Sequence, residues 1–279
     1  MTPPMCPVVC NAKAFELLSS VVPRLESPDA LLIGATAIAS HAGRFTDPAK
    51  LDAKLQSYAD LVMSRVRGPQ LQGVLAHLHD VLFDELKFQG NAEDYYHAAN
   101  SYLPVVLETK KGLPITLSMV YKSVAERLGL VAYGVGLPGH FLVGVEDGRE
   151  TPLLVDPFAS GKVVAIDEAR QRVAALFSDK YSWTDDYLTP VTHRHWLTRM
   201  IQNLLHLFGR AGQYNSMAAM LELEMLLWPD QDRLQRDLGL VLARSGQPKP
   251  ASLWLDYYLS NHPEDPNESE LRQLLTAIR

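Results

Sequence analysis

Of 279 residues, 47% are apolar and 21% charged, the balance of a folded protein with a substantial core. The formal charge of −6 and the lack of a dense Lys/Arg block, the pair Lys110–Lys111 being too short to count, exclude the electrostatic footprint of a nucleic-acid binder. No run approaches about eighteen uninterrupted apolar residues, and Met1 to Pro7 lacks the basic and apolar regions of a signal peptide, so no membrane span is expected and the expected compartment is the cytoplasm.

From Ala14 to about Phe88 the apolar spacing is helical. Ala30 to His41 reads as one helix ending around Gly43. Asp47-Pro48 opens a second, with Leu51, Leu55, Tyr58, Leu61, Val62 and Val66 at intervals of three and four, and Gly68-Pro69 stops it. Leu71 to Leu86 repeats the pattern. These helices read as scaffold. Cys6 and Cys10, four positions apart, read as two reduced thiols near the chain end, with no histidine nearby to complete a zinc site.

Phe88 to Leu107 loses this periodicity. Its dense Asn, Asp and Tyr predict an ordered loop pinned by side-chain hydrogen bonds, with a short helix starting at Leu103. Pro114 to Leu128 reads as a helix with proline in its first turn, where the missing N–H costs nothing. Strands are expected at Val131–Leu137, His140–Val145 and Leu153–Asp156, and a short apolar run follows at Val163–Ile166 before a helix from Asp167 to Phe177. A histidine therefore opens one strand and an aspartate closes the next. A three-residue hairpin loop from Asp147 to Arg149 would set His140 directly opposite Asp156; a loop one residue longer or shorter shifts the register by one.

Ser178 to Thr192 reads as a linker, and the chain is helical again from His193. Gly212-Gln213 recurs at Gly246-Gln247, Pro229-Asp230 at Pro263-Glu264, and Leu204 at Leu238, all at one constant interval. That interval is the period, about 34 residues, of a tetratricopeptide-type helix–turn–helix unit. About two and a half units fit, so the array is expected to lean on the first domain for its missing neighbour. Trp228 and Trp254 fall in repeat helices and read as core. His77-x-His79 and His193-x-His195 lack the carboxylates or cysteines that would complete a metal site.

Several motifs together carry a resemblance. Gly112-Leu113-Pro114, the helix end at Gly129-Leu130, Gly139-His140-Phe141 and Val155-Asp156-Pro157 resemble the transglutaminase-like superfamily. More narrowly, Gly90-Asn91, Asp94-Tyr95-Tyr96, Asn100-Ser101-Tyr102-Leu103 and Gly112 to Ser118 resemble the SirB-type bacterial family, which joins such a core to tetratricopeptide repeats. The resemblance implies an α+β fold. Residues 1–192 would form N-terminal helices and a papain-like core with a small antiparallel sheet, and residues 193–279 an all-α repeat tail.

In the active enzymes of the superfamily the nucleophile closes a Gly-x-Cys step, fifteen positions before the glycine that ends the helix. That position here is Pro114, while the histidine and aspartate positions match His140 and Asp156. Both cysteines lie more than a hundred residues upstream of His140. The pair thus reads as the relict of a triad. Ser118, one turn beyond Pro114 on the same helix face, is the candidate substitute nucleophile, and it competes with the reading of Thr116 and Ser118 as ordinary helix hydroxyls. Asn91, Tyr95, Tyr96, Asn100, Tyr102, Pro114 and Thr116 are the expected pocket lining, although burial of the tyrosines against the core is an equally physical outcome.

The leading reading is a non-catalytic scaffold that binds a protein or peptide on its repeat surface and acts in regulation. A small ligand in the relict pocket is a further expectation. No metal, cofactor, nucleic acid or membrane enters the reading. The alternative is a hydrolase or acyltransferase with His140 as base, Asp156 as orienter, and water or Ser118 as nucleophile.

Overall fold

A computed structural model describes residues 6–68, 70–146, 148, 151–177 and 183–279. The chain is mostly helical, with two small sheets. It divides into two compact units: residues 46–196 form one, and residues 6–45 join residues 197–279 in the other. Residues 6–45 group with the C-terminal helices.

The unit of residues 46–196 is built around one helix that is buried up to its last turn. Helix α3 (Pro48–Met63) starts on Asp47, whose Oδ1 accepts the Ala49 N–H at 3.0 Å. Helix α4 (Leu71–His79) does not run on to Leu86 as one α-helix. It passes into a π-helical stretch over Asp80–Glu85, which apolar spacing alone does not distinguish from α. Residues 89–90 (β1) and 111–112 (β2) form a two-stranded parallel ladder on either side of the Asn-rich loop and helix α5 (Leu103–Thr109).

Helix α6 (Pro114–Arg127) has every residue from Pro114 to Ala125 buried. A helix buried all round belongs in a core even with Thr116, Ser118, Lys122 and Ser123 among its buried residues, and this one packs against α3 and against β3 and β4. Its one buried lysine, Lys122, runs its stem along the core and delivers its ammonium to Glu126 at 2.7 Å.

Strands β3 (Ala132–Val135), β4 (Leu142–Val145), β5 (Leu153–Asp156) and β6 (Lys162–Val164) form an antiparallel meander. The expected strand from His140 begins two residues later, at Leu142. Val143 pairs with Val155 and Gly144 with Leu154. By extension Leu142, not His140, stands opposite Asp156. The connection is longer than the three-residue loop assumed; Asp147 and Arg149 themselves lie outside the described residues. A slide of two residues preserves which face each side chain takes, so it does not separate the pair. Helix α7 (Ile166–Phe177) covers the sheet through Ala169 and Val173, which meet Val135, Leu142, Leu154 and Val164.

In the other unit, helices α1 (Ala12–Val21) and α2 (Ala30–His41) pack against each other and on α9 (Tyr214–Leu227). The segment leading into α1 is held by one buried carboxylate. Glu222 Oε1 accepts the Val8 N–H at 2.6 Å, Oε2 accepts the Cys10 N–H at 2.6 Å, and the Val9 N–H is shared between them. Burial pushes the Glu222 carboxyl up, and the three amides only partly counter it. Glu222→Ala should cost about 1–3 kcal/mol and speed amide exchange at residues 8–10; unchanged exchange there would show that the segment is held by other contacts.

Helix α8 (His193–Arg210) leads through the junction into α9, α10 (Asp232–Arg244), α11 (Pro248–Asn261) and α12 (Glu268–Ile278). The constant interval seen in the sequence recurs in the backbone. Helix α11 starts and stops one such interval after α9, and Gly212 (φ +66) and Gly246 (φ +77) make the left-handed turns before them. It recurs in side-chain contacts as well. Trp228 Nε1 donates to Thr198 Oγ1 at 2.7 Å, and one interval further on His262 Nε2 meets Asp232 Oδ2 at 3.0 Å. Gln202 reaches Glu224, and Arg236 lies over Tyr258 in the same relation. Trp254 is buried as expected, whereas Trp228 is only partly buried.

Candidate functional site

The site forms where β4 begins and β5 ends, beside the start of α6. Gly139 (φ +71) turns the chain so that His140 follows the bend, with its N–H on the Leu137 carbonyl at 3.2 Å. Asp156 closes β5 and caps the short 3₁₀ turn Pro157–Ala159, its Oδ1 accepting the Phe158 and Ala159 N–H groups at 3.1 and 3.2 Å. Its other oxygen, Oδ2, meets His140 Nε2 at 2.9 Å. The two residues picked out in the sequence are in contact.

A third partner escaped the sequence reading. Arg172 on α7 donates Nη1 to the same Asp156 Oδ2 at 2.8 Å and Nη2 to Glu168 Oε1 at 2.7 Å; Lys162 also reaches that Glu168 oxygen. Glu168 and Arg172 are spaced i, i+4, which the sequence displays, but nothing local says that the pair points at Asp156. The aspartate side chain is 2% exposed and that of His140 19%. Burial pushes the Asp156 carboxyl up, yet the hydrogen bonds and charges of His140 and Arg172, with the Ala159 amide, outweigh it and hold the group below its ordinary value.

A depressed carboxyl adds stability above its unfolded pKa and loses it as pH falls through the folded one. Unfolding free energy should therefore drop on acidification below about pH 4, and Asp156→Asn should flatten that part of the profile. An unchanged slope in the variant would remove Asp156 from the acid response.

Pro114 is the first residue of α6, and its ring offers neither a thiol nor an N–H. Ser118, one turn on, is fully buried, and its hydroxyl donates to the Phe141 carbonyl at 3.4 Å. The first turns of α6 thus lie against the backbone next to His140, with the serine hydroxyl turned to structure. Thr116 is fully buried as well. Cys10 is no substitute: it is buried, its thiol meets the Asn11 carbonyl at 3.6 Å, and burial with the nearby Glu222 pushes it up to about 12.

The expected pocket residues separate into two groups. Asn91 and Asn100 are joined at 2.9 Å, and Asn100 also donates to the Asp94 and Tyr95 carbonyls, so both fix the loop. Tyr102 is 6% exposed and belongs to the core. Tyr95 and Tyr96 remain exposed, at 36% and 59%. They begin a chain of edge-to-face rings running from Tyr96 to Tyr95, then Phe158, then His140, with centroids 5.3, 5.9 and 6.3 Å apart. Phe158 was not foreseen. Its ring lies over Gly90, where an added Cβ would approach it to 2.6 Å, which accounts for the glycine.

The other histidines go elsewhere. His79 Nε2 meets the Tyr121 hydroxyl at 2.9 Å, and His195 Nδ1 meets Thr192 Oγ1 at 2.8 Å. No cluster of three or more His, Cys, Asp or Glu side chains suited to a metal occurs among the described residues.

The model of the transglutaminase-like superfamily matches residues 49–202. The chain belongs to that superfamily. The matched range nearly coincides with the compact unit of residues 46–196 that holds His140 and Asp156. This chain is 33% identical over 235 residues to a UPF0162 protein of Xylella fastidiosa (strain 9a5c), covering 81% of this chain and 82% of that one. It is 30% identical over 268 residues to F-box only protein 21 of Homo sapiens, covering 81% of this chain and 40% of that protein. A UPF0162 protein of Haemophilus influenzae is 26% identical over 203 residues, with 72% and 75% covered. No solved structure matches. Membership of the transglutaminase-like superfamily, with relatives named UPF0162, is consistent with a non-catalytic scaffold.

Proposed function

We propose that this chain is a non-catalytic transglutaminase-like scaffold with a tetratricopeptide-type helical tail, acting in protein–protein interaction and regulation. Pro114 carries the reading: the acyl transfer that the resemblance implies runs through a thiolate at a helix start, and a ring-locked imino acid stands there. The Glu168–Arg172–Asp156–His140 network then reads as structure kept for its own sake. The turns and contacts that match at one constant interval support the repeat reading, and the motifs from Gly90 to Ser118 support placement in the SirB-type family. Two unpaired cysteines support a reducing compartment, the cytoplasm.

The partner is a protein or peptide on the repeat surface, where α8 exposes Asn203 and His206 and α10 exposes Arg233. A photo-cross-linking residue at Asn203 or His206 in the full chain should trap a discrete product, and one at exposed Ser57 on α3 should not. Equal trapping at both places would remove the repeat surface from the account. A small ligand held near His140 would raise the melting temperature in a way that His140→Ala abolishes.

One observation favours the alternative, a hydrolase using His140 with water or Ser118: the 2.9 Å bond to Asp156 is the one an orienting carboxylate makes. The buried Ser118 hydroxyl weighs against it. An activated ester that left an acyl mass on the wild type and none on Ser118→Ala would establish that alternative.

A further inference from the structure

Glu93 to Tyr96 form a turn, and every residue from Ala92 to His97 is exposed. The turn is nevertheless fixed from beneath. Asn91 Oδ1 accepts the Asp94 N–H at 3.3 Å, and the Asn100 side-chain amide donates to the Asp94 and Tyr95 carbonyls at 2.7 and 3.2 Å. The Asn91 N–H donates to the Gly112 carbonyl at 3.1 Å, which ties the turn to β2. A loop pinned in this way holds its side chains in place before anything binds, so binding does not carry the cost of ordering it.

The turn holds out two large rings. Phe158 sets the Tyr95 ring and Tyr95 sets the Tyr96 ring, each edge to face. The same loop buries Tyr102, so the exposure of Tyr95 and Tyr96 is a property of the turn and not of the residue type. Two carboxylates share the turn. Glu93 is 91% exposed, with the Lys111 ammonium 3.8 Å away. The Asp94 carboxylate makes no hydrogen bond or ion pair among the described residues. Four successive residues thus present two aromatic rings and two negative charges, with one lysine loosely beside them.

We propose that this turn is an interaction surface whose occupant is an arginine side chain on an exposed segment of a partner protein. Ring faces attract cations and apolar groups alike; the two carboxylates decide in favour of a cation and repel an anionic partner. Arginine fits better than lysine. Its planar guanidinium stacks on a tyrosine ring while its fork of N–H groups meets a carboxylate, whereas an ammonium is more strongly hydrated and has no plane to stack. The turn lies in the unit of residues 46–196, so the inference needs neither the repeat surface nor a ligand at His140.

The probe is a blocked glycine–arginine–glycine peptide, titrated into the isotope-labelled full chain at low salt and followed by amide NMR. Saturable shifts are expected at Glu93 to His97 and not at Asn203 or His206. The citrulline counterpart, similar in shape but uncharged, should bind on the order of tenfold more weakly, and the lysine counterpart about threefold more weakly. Tyr96→Ala and Asp94→Asn should each weaken the arginine peptide about threefold, whereas Lys111→Gln should tighten it by removing the competing cation. All three side chains lie at the surface, so an unchanged urea midpoint verifies the fold of each variant. Shifts absent from Glu93 to His97, a citrulline or lysine peptide bound as tightly as the arginine one, or undiminished binding by Tyr96→Ala would overturn the proposal.

Discussion

Asp156→Ala should destabilise the protein by about 3–5 kcal/mol, close to the limit for a single side chain. The carboxylate is almost fully buried, and four groups converge on it: the His140 imidazole, the Arg172 guanidinium and the amides of Phe158 and Ala159. Alanine would leave the guanidinium without its buried counter-charge and two amides without an acceptor, at a cost set by desolvation more than by the bonds lost. Asp156→Asn keeps the size and an oxygen for the turn, but it offers Arg172 no charge, so a smaller loss is expected. Urea unfolding, with the midpoint moving at constant slope, measures both. A loss within about 0.5 kcal/mol for alanine would mean that the network contributes nothing to stability.

Trp196→Ala should cost a similar amount, about 3–5 kcal/mol. The indole is fully buried, 4.5 Å from the Phe141 ring between centroids, and it occupies the space above Gly134. A Cβ at Gly134 would come within 2.4 Å of the Trp196 ring and 2.7 Å of Phe141. Gly134→Val alone should therefore cost about 1–3 kcal/mol or more through overpacking. In the Trp196→Ala background the valine enters the vacated space, so the double variant should be more stable than the sum of the two losses requires. Strict additivity would show that tryptophan and glycine are not complementary. Because Phe141 follows His140 in the chain, the same variants show how far the core fixes the imidazole.

Much of this was legible because it is local. Ala30–His41 and Leu153–Asp156 have the boundaries that their apolar spacing predicts, and Pro114 opens α6 where a proline at the first turn belongs. The constant interval was visible because Gly212 and Gly246 take left-handed backbone, and few other residues do so easily. What escaped is long-range. Arg172 reaches Asp156 across the sheet–helix interface, and Glu222 holds residues 8–10 from more than two hundred positions away. Neither contact leaves a periodic trace in the sequence. The hairpin register missed by two because loop length sets it, and Asp147-Gly148 marks a turn without fixing how many residues the connection holds.

Turnover by the purified full chain, assayed with amide, peptide and activated-ester substrates alongside His140→Ala, tests catalytic silence most directly. The expected result is the same background rate for both proteins with every substrate. Hydrolysis or acyl transfer by the wild type that His140→Ala abolishes would contradict it, and would mean that a nucleophile other than a thiol at position 114 serves the His140–Asp156 pair.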